Sequence, residues 1–251
     1  MIEFVIKLAS NVVSVRVQFD STLQYCSEYL CDEQADLHVS VTDEDIARER
    51  SIFEKMDAAA GGTARERSDE ILERTALQRK IVEAFFDRDI LLFHGSVVAV
   101  DGMAYLFAAK SGTGKSTHTR LWRQWLGDRA VMVNDDKPFL QITPQGIVAH
   151  GSPWRGKHRL GANICAPLKA ICILERAEEN HIQAIPAKDA IAMLLRQSAR
   201  PSHASDMPQY VRLLDQIAGQ VSFYRLGCNM EPEAARIAYE AMSGASSQGV
   251  Q

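Results

Sequence analysis

The stretch Ala109-Lys110-Ser111-Gly112-Thr113-Gly114-Lys115-Ser116 decides how the rest of this chain is read. Small residues there let backbone N–H groups converge on phosphate oxygens, where bulkier side chains would block the approach. In such a loop Lys115 reaches the β and γ phosphates of a nucleoside triphosphate, and the Ser116 hydroxyl can coordinate Mg²⁺. The phosphate-binding set read from the motif is Ser111, Gly112, Thr113, Gly114, Lys115, Ser116 and Thr117. Ala109 stands where the general pattern begins with glycine; the core from Ser111 to Thr117 is intact.

The flanks support the motif. Residues 90–100 are rich in apolar and β-branched side chains and read as one strand, and Asp101-Gly102 is a strong hairpin signal. Residues 103–108 form the returning strand and lead straight into the glycine loop. After the loop, Leu121, Trp122, Trp125 and Leu126 mark one face of a helix that Gly127 closes. That helix turns its positive N-terminal end toward a bound anion. The hairpin feeding the loop argues for a mixed sheet rather than a fully parallel one. Further strands are expected over residues 130–134, 139–142, 146–149 and 168–174.

The strand 130–134 ends in Asn134-Asp135-Asp136-Lys137, which puts two carboxylates at its C-terminal end, the sheet edge where ligands bind in open α/β folds. Adjacent strand residues point to opposite sides, so the two acids can take different tasks. One can hold Mg²⁺ while the other accepts a proton from an attacking hydroxyl. His94 sits in the apolar run 90–100, near enough through the hairpin to hydrogen-bond one acid and tune its pKa. The loop Gly151-Ser-Pro-Trp-Arg155-Gly-Lys157-His-Arg159 carries four basic-capable side chains, of which Arg155 and Lys157 suit charge neutralisation at a transferring phosphate.

Residues 1–62 read as a small β-rich segment with alternating strands at 12–19 and 37–42, ending in the small-residue linker Ala58-Ala59-Ala60-Gly61-Gly62. Residues 63–243 carry the core and a mostly helical final third, with stripes at Ile191, Leu194 and Leu195 and at Val211, Leu214 and Ala218. Residues 244–251 form a small, polar tail that reads as disordered.

The chain has 251 residues, a formal net charge of -4, 46% hydrophobic and 24% charged residues, an ordinary globular balance. It lacks the basic excess of a general nucleic-acid binder. No apolar run approaches the roughly 20 residues that cross a bilayer. The first residues lack a signal-peptide layout, and five cysteines without close metal-ligand pairing read as reduced thiols, so a cytoplasmic protein is expected.

Taken together, His94-Gly95, the hairpin at Asp101-Gly102, the loop Ser111 to Ser116 and the Asp135-Asp136 pair resemble the HPr kinase/phosphorylase-like kinases. That group shares its nucleotide-binding core with phosphoenolpyruvate carboxykinases. The resemblance covers residues 90–175. It implies an α/β P-loop kinase core with a mixed sheet, preceded by the small β-rich segment and followed by helices. It further implies ATP and Mg²⁺ as cofactors, phosphate and metal binding at Lys115 and Ser116, Asp135 as base assisted by His94, and Asp136 supporting the metal or the base. Pro153-Trp-Arg-Gly-Lys157 replaces the glycine-rich HPr-recognition segment, which points away from HPr as acceptor. The reading is therefore a phosphotransferase moving the γ-phosphate to a hydroxyl of a serine-containing protein, a peptide or a small molecule such as serine. A nucleotide-sensing regulatory module and a carboxykinase-like enzyme are the alternatives.

Overall fold

The computed structural model describes residues 1–63, 65–110 and 112–244, and the chain divides into two compact units, Met1–Asp87 and the part from Arg88 onward. The first unit has strands β1 (Ile2–Leu8) and β2 (Asn11–Val17), helix α1 (Asp20–Tyr25), strand β3 (Leu37–Ser40), and helices α2 (Asp43–Ala59) and α3 (Asp69–Phe86). β1 and β2 pair antiparallel, and β2 pairs with β3 in parallel. The fully buried Glu73 of α3 accepts from Gln18 N at 2.6 Å and from Thr22 Oγ1 at 2.6 Å, anchoring the start of α1.

The boundary expected at 62/63 falls inside this unit. The segment 43–59 is a helix, started by a capping box in which Thr42 and Asp45 exchange bonds. Arg79 of α3 then reaches Asp45 and Glu49 of α2 at 3.2 and 2.6 Å, so the two helices pack together and the break comes after α3.

The second unit contains β4 (Ile90–Leu92), β5 (Ser96–Val100), β6 (Met103–Ala108), α4 (Lys115–Leu126), β7 (Ala130–Asn134), β8 (Phe139–Thr143), β9 (Gly146–His150) and β10 (Cys165–Arg176). β11 (His181–Ile185), α5 (Ala187–Gln197), α6 (Met207–Gln220), β12 (Ser222–Cys228) and α7 (Glu233–Ser243) complete it. The sheet runs β4-β8-β9-β10-β6-β5-β7, with β12 joining β10 and β11 joining β12. β10 is parallel to β6 and β12, whereas β5 is antiparallel to β6 and β7, so the sheet is mixed.

Two expectations need correction. Residues 90–100 are two strands in different pairings: β4 lies on β8, β5 lies between β6 and β7, and the chain breaks at Phe93-His94-Gly95. Long-range bonds impose the break, His94 N donating to Gln197 O at 2.6 Å and Gly95 N to Asp136 O at 3.0 Å. The final third is also less helical than its stripes suggest, because residues 222–228 form β12 beside β10 and residues 181–185 form β11. The expected tail lies, from residue 245 on, outside the described residues.

α4 docks on the sheet through Leu121, Trp122 and Leu126, which meet Val98, Tyr105 and Phe107; Ala235, Ala238 and Met242 of α7 close the same core. Burying Leu121 and Leu126 favours that docking by roughly 1.5–3 kcal/mol each. The packing fixes the helix start, and with it the glycine loop.

Candidate active site

β6 delivers Ala109 and Lys110 to the loop, and α4 begins at Lys115. Gly112 and Gly114 have φ of 77° and 122°, backbone that L side chains rarely adopt, so conformation rather than space calls for glycine at both positions. The loop is tied down on several sides. Thr113 N donates to Lys110 O, Gln197 Nε2 to Ala109 O at 3.3 Å, and the guanidinium of Arg176 to Gly112 O at 2.7 Å. Lys115 Nζ rests on Ala109 O at 3.3 Å. Burial pulls the Lys115 ammonium below its usual pKa; Asp136 opposes that and Lys137 adds to it. Ser116 is exposed and Thr117 half-buried on the first turn of α4, while Ser111 lies outside the described residues.

Asp135 and Asp136 face different surroundings. Asp135 is 4% exposed; its Oδ1 accepts from Gly156 N at 2.6 Å, and its Oδ2 is buried with no hydrogen-bond partner. Burial raises the Asp135 carboxyl above the usual range, the amide of Gly156 and the bond with Leu160 oppose this, and the neighbouring Asp136 adds to it. Asp136 accepts at Oδ1 from His94 Nε2 over 3.2 Å, and about a third of each side chain is exposed. Burial opposes its charge too, but the His94 bond and the positive Lys137 and Lys115 outweigh that and hold the carboxyl below the usual range. His94 therefore partners Asp136, not Asp135 as the resemblance implied, because the chain break at Phe93–Gly95 is itself bonded to Asp136.

Asn134 organises this corner, a role the sequence reading missed. Fully buried, its Oδ1 accepts from the N–H groups of Asp136 and Lys137 at 2.8 and 2.7 Å. Its Nδ2 donates to Ser152 O and Oγ, each at 3.1 Å, and Ser152 Oγ donates to Lys137 O at 2.6 Å. The acidic turn and the loop after β9 are thus clasped together. Ser96 Oγ adds a bond to Asp135 O at 2.8 Å. The loop also bonds Asp135 directly, Gly156 N donating to Oδ1 and Asp135 N donating to Leu160 O at 3.2 Å; Arg155 is half-buried and Lys157 exposed. Gly156 packs closely on this carboxylate: a Cβ there would lie 3.1 Å from Asp135 Oδ2, which would have to shift to admit it.

Two cavities flank the glycine loop. One, of about 380 Å³, is lined by Ala109, Lys110, Met193, Arg196, Gln197 and Arg225 among others; the second, of about 480 Å³, lies between the loop and Met230. Arg176 borders both, another residue that no local sequence signal marked. Among the described residues no group of three or more His, Cys, Asp and Glu is arranged to hold a metal ion. An exposed serine hydroxyl with one ionised carboxylate still suits Mg²⁺, which is commonly held by one or two carboxylates together with substrate phosphates. Among the described residues no helix is long and apolar enough to cross a membrane.

A family model described as SynChlorMet cassette protein ScmC matches residues 63–230. A structure of the Hpr(Ser) kinase/phosphatase from Coxiella burnetii aligns at 10% identity over 61% of this chain and 99% of that one. Its TM-score of 0.37 is too low for the likeness to bear on fold or function. No curated protein matches the chain.

Proposed function

We propose that this chain, which belongs to the SynChlorMet cassette protein ScmC family, is a Mg²⁺-dependent, ATP-using phosphotransferase that moves the γ-phosphate to a hydroxyl acceptor. The observation that carries the proposal is the division of the acidic pair beside a glycine loop. Asp135 is pushed above the usual carboxylate range and keeps an unpartnered oxygen, while the His94 bond and the charges of Lys137 and Lys115 hold Asp136 below that range. Neighbouring carboxylates whose pKa values are driven apart mark out a proton acceptor and a charged anchor.

In this reading the loop amides and Lys115 bind the β and γ phosphates, and Asp136 with the Ser116 hydroxyl holds the cation. When bound, Mg²⁺ neutralises charge on the phosphate oxygens. His94 keeps the Asp136 carboxylate oriented. The acceptor hydroxyl enters beside the segment 153–157 and loses its proton to Asp135 Oδ2. Its oxygen bonds to the γ-phosphorus as the bond to the β-phosphate oxygen breaks, giving a phosphate ester and ADP. Arg155, Lys157 and Arg176 are the cations available to spread the developing charge. A serine-containing peptide or protein, or serine itself, is the acceptor class that follows from the resemblance.

The test is incubation with Mg²⁺ and ATP labelled at the γ-phosphate, offering serine peptides and free serine. Label on a hydroxyl supports the proposal. Tight ATP binding without consumption under every acceptor supports a nucleotide sensor instead.

A further inference from the structure

The indole N–H of Trp122 can only donate, and it donates to His118 Nε2 at 3.0 Å. Nε2 is therefore the unprotonated nitrogen. Burial lowers the pKa of this imidazole to about 3, so the ring is neutral and its proton sits on Nδ1. Nδ1 is buried without a hydrogen-bond partner, and His118 as a whole is 2% exposed. An unmatched buried donor is rare in native structures and calls for an explanation. The Phe107 ring lies closer than that of Trp122, tilted 70° at 4.7 Å, and offers at most a weak N–H···π contact.

His118 belongs to the wall of the 480 Å³ cavity, one turn along α4 from the glycine loop. Leu121, Ala177 and the exposed Met230 supply apolar surface there, and Gly112 and Gly114 form the edge shared with the loop. The cavity on the other flank is lined by Lys110, Asp189, Arg196 and Arg225 and is far more charged. An aromatic base bearing ring or carbonyl acceptors suits apolar walls with one unmatched donor.

We propose that the cavity bordered by Leu121 and Met230 receives the nucleoside part of the nucleotide, with His118 Nδ1–H donating to an acceptor atom on it. This rests on the phosphate-binding reading of the glycine loop and adds a residue that selects for the nucleoside.

The experiment measures binding of ATP and of inorganic tripolyphosphate, each with Mg²⁺, to the full chain and three variants. His118→Gln keeps an acceptor near Trp122 but lacks a donor at the Nδ1 position, whereas His118→Asn keeps that donor and gives up the acceptor. The expected result is that His118→Gln weakens ATP about tenfold, roughly 1.4 kcal/mol, and leaves tripolyphosphate unchanged, while His118→Asn retains ATP. Met230→Ser, at a site 77% exposed, weakens ATP alone. Equal weakening of both ligands, or loss of ATP in His118→Asn with retention in His118→Gln, makes His118 a support for Trp122 and overturns the proposal. If wild-type protein binds neither ligand, the phosphate-loop reading itself falls. If tripolyphosphate binds as tightly as ATP, only the nucleoside site falls.

Discussion

His94 hydrogen-bonds Asp136 through Nε2 at 3.2 Å, while Asp135, one residue earlier, is held by the amide of Gly156 at 2.6 Å. A single peptide step thus separates a carboxylate kept ionised from one pushed toward its neutral form. Removing the imidazole tests the first half. His94→Ala should let the Asp136 pKa rise and weaken Mg²⁺-dependent ATP binding by about tenfold to a hundredfold, as loss of a ligand's orienting partner commonly does. A Mg²⁺ titration of ATP binding checks this; the deficit should shrink at saturating Mg²⁺.

The raised Asp135 pKa has a signed consequence for stability. The folded chain holds its proton to higher pH than the unfolded chain does, so stability falls as pH rises from the unfolded value, near 3.9, through the folded one. Asp135→Asn should therefore melt higher than wild type at neutral pH, with the gap closing on acidification below the ordinary carboxylate pKa. Asp136 has the opposite sign: its contribution is present above the unfolded value and is lost as pH falls through the lowered folded pKa. Melting curves of Asp135→Asn and Asp136→Asn from about pH 2 to 8 should diverge in these opposite directions, the Asp136 change lying below the ordinary carboxylate pKa.

Asn134→Ala removes an acceptor from two backbone N–H groups and a donor from Ser152. With Asn134 fully buried, orphaning those groups should cost about 3 kcal/mol, at roughly 1–3 kcal/mol per unsatisfied group. Ser152→Ala, which leaves the Asn134 Oδ1 bonds in place, should cost less. Urea unfolding of both variants measures the difference.

Gly156→Ala introduces a Cβ 3.1–3.4 Å from the Asp135 carboxylate atoms, which must then give way. Nucleotide affinity should hold and phosphoryl transfer should drop, read as kcat falling with little change in the dissociation constant for ATP.

The parts of the site that local pattern encodes were legible. An apolar strand, two glycines and an amphipathic helix identify β6, the loop and α4, and an apolar strand before two acids identifies the end of β7. What escaped is held by contacts distant in sequence. In residues 90–100 only His94-Gly95-Ser96 interrupts the apolar run, too little to show that the two halves pair with different strands; the bonds to Gln197 and Asp136 make that break. Asn134 gains its role only through Ser152, 18 residues on, and Arg176 meets Gly112 across 64. α2 was missed because its charged sequence buries little more than Ile46 and Glu49; the Thr42/Asp45 pair was its one local signal.

The most direct test of the division within the acidic pair is transfer of labelled γ-phosphate by Asp135→Asn, with ATP binding measured on the same preparation. Loss of a general base should slow transfer by about 100-fold or more while ATP binds as in wild type. Transfer persisting at the wild-type rate would contradict the assignment of Asp135 as the proton acceptor.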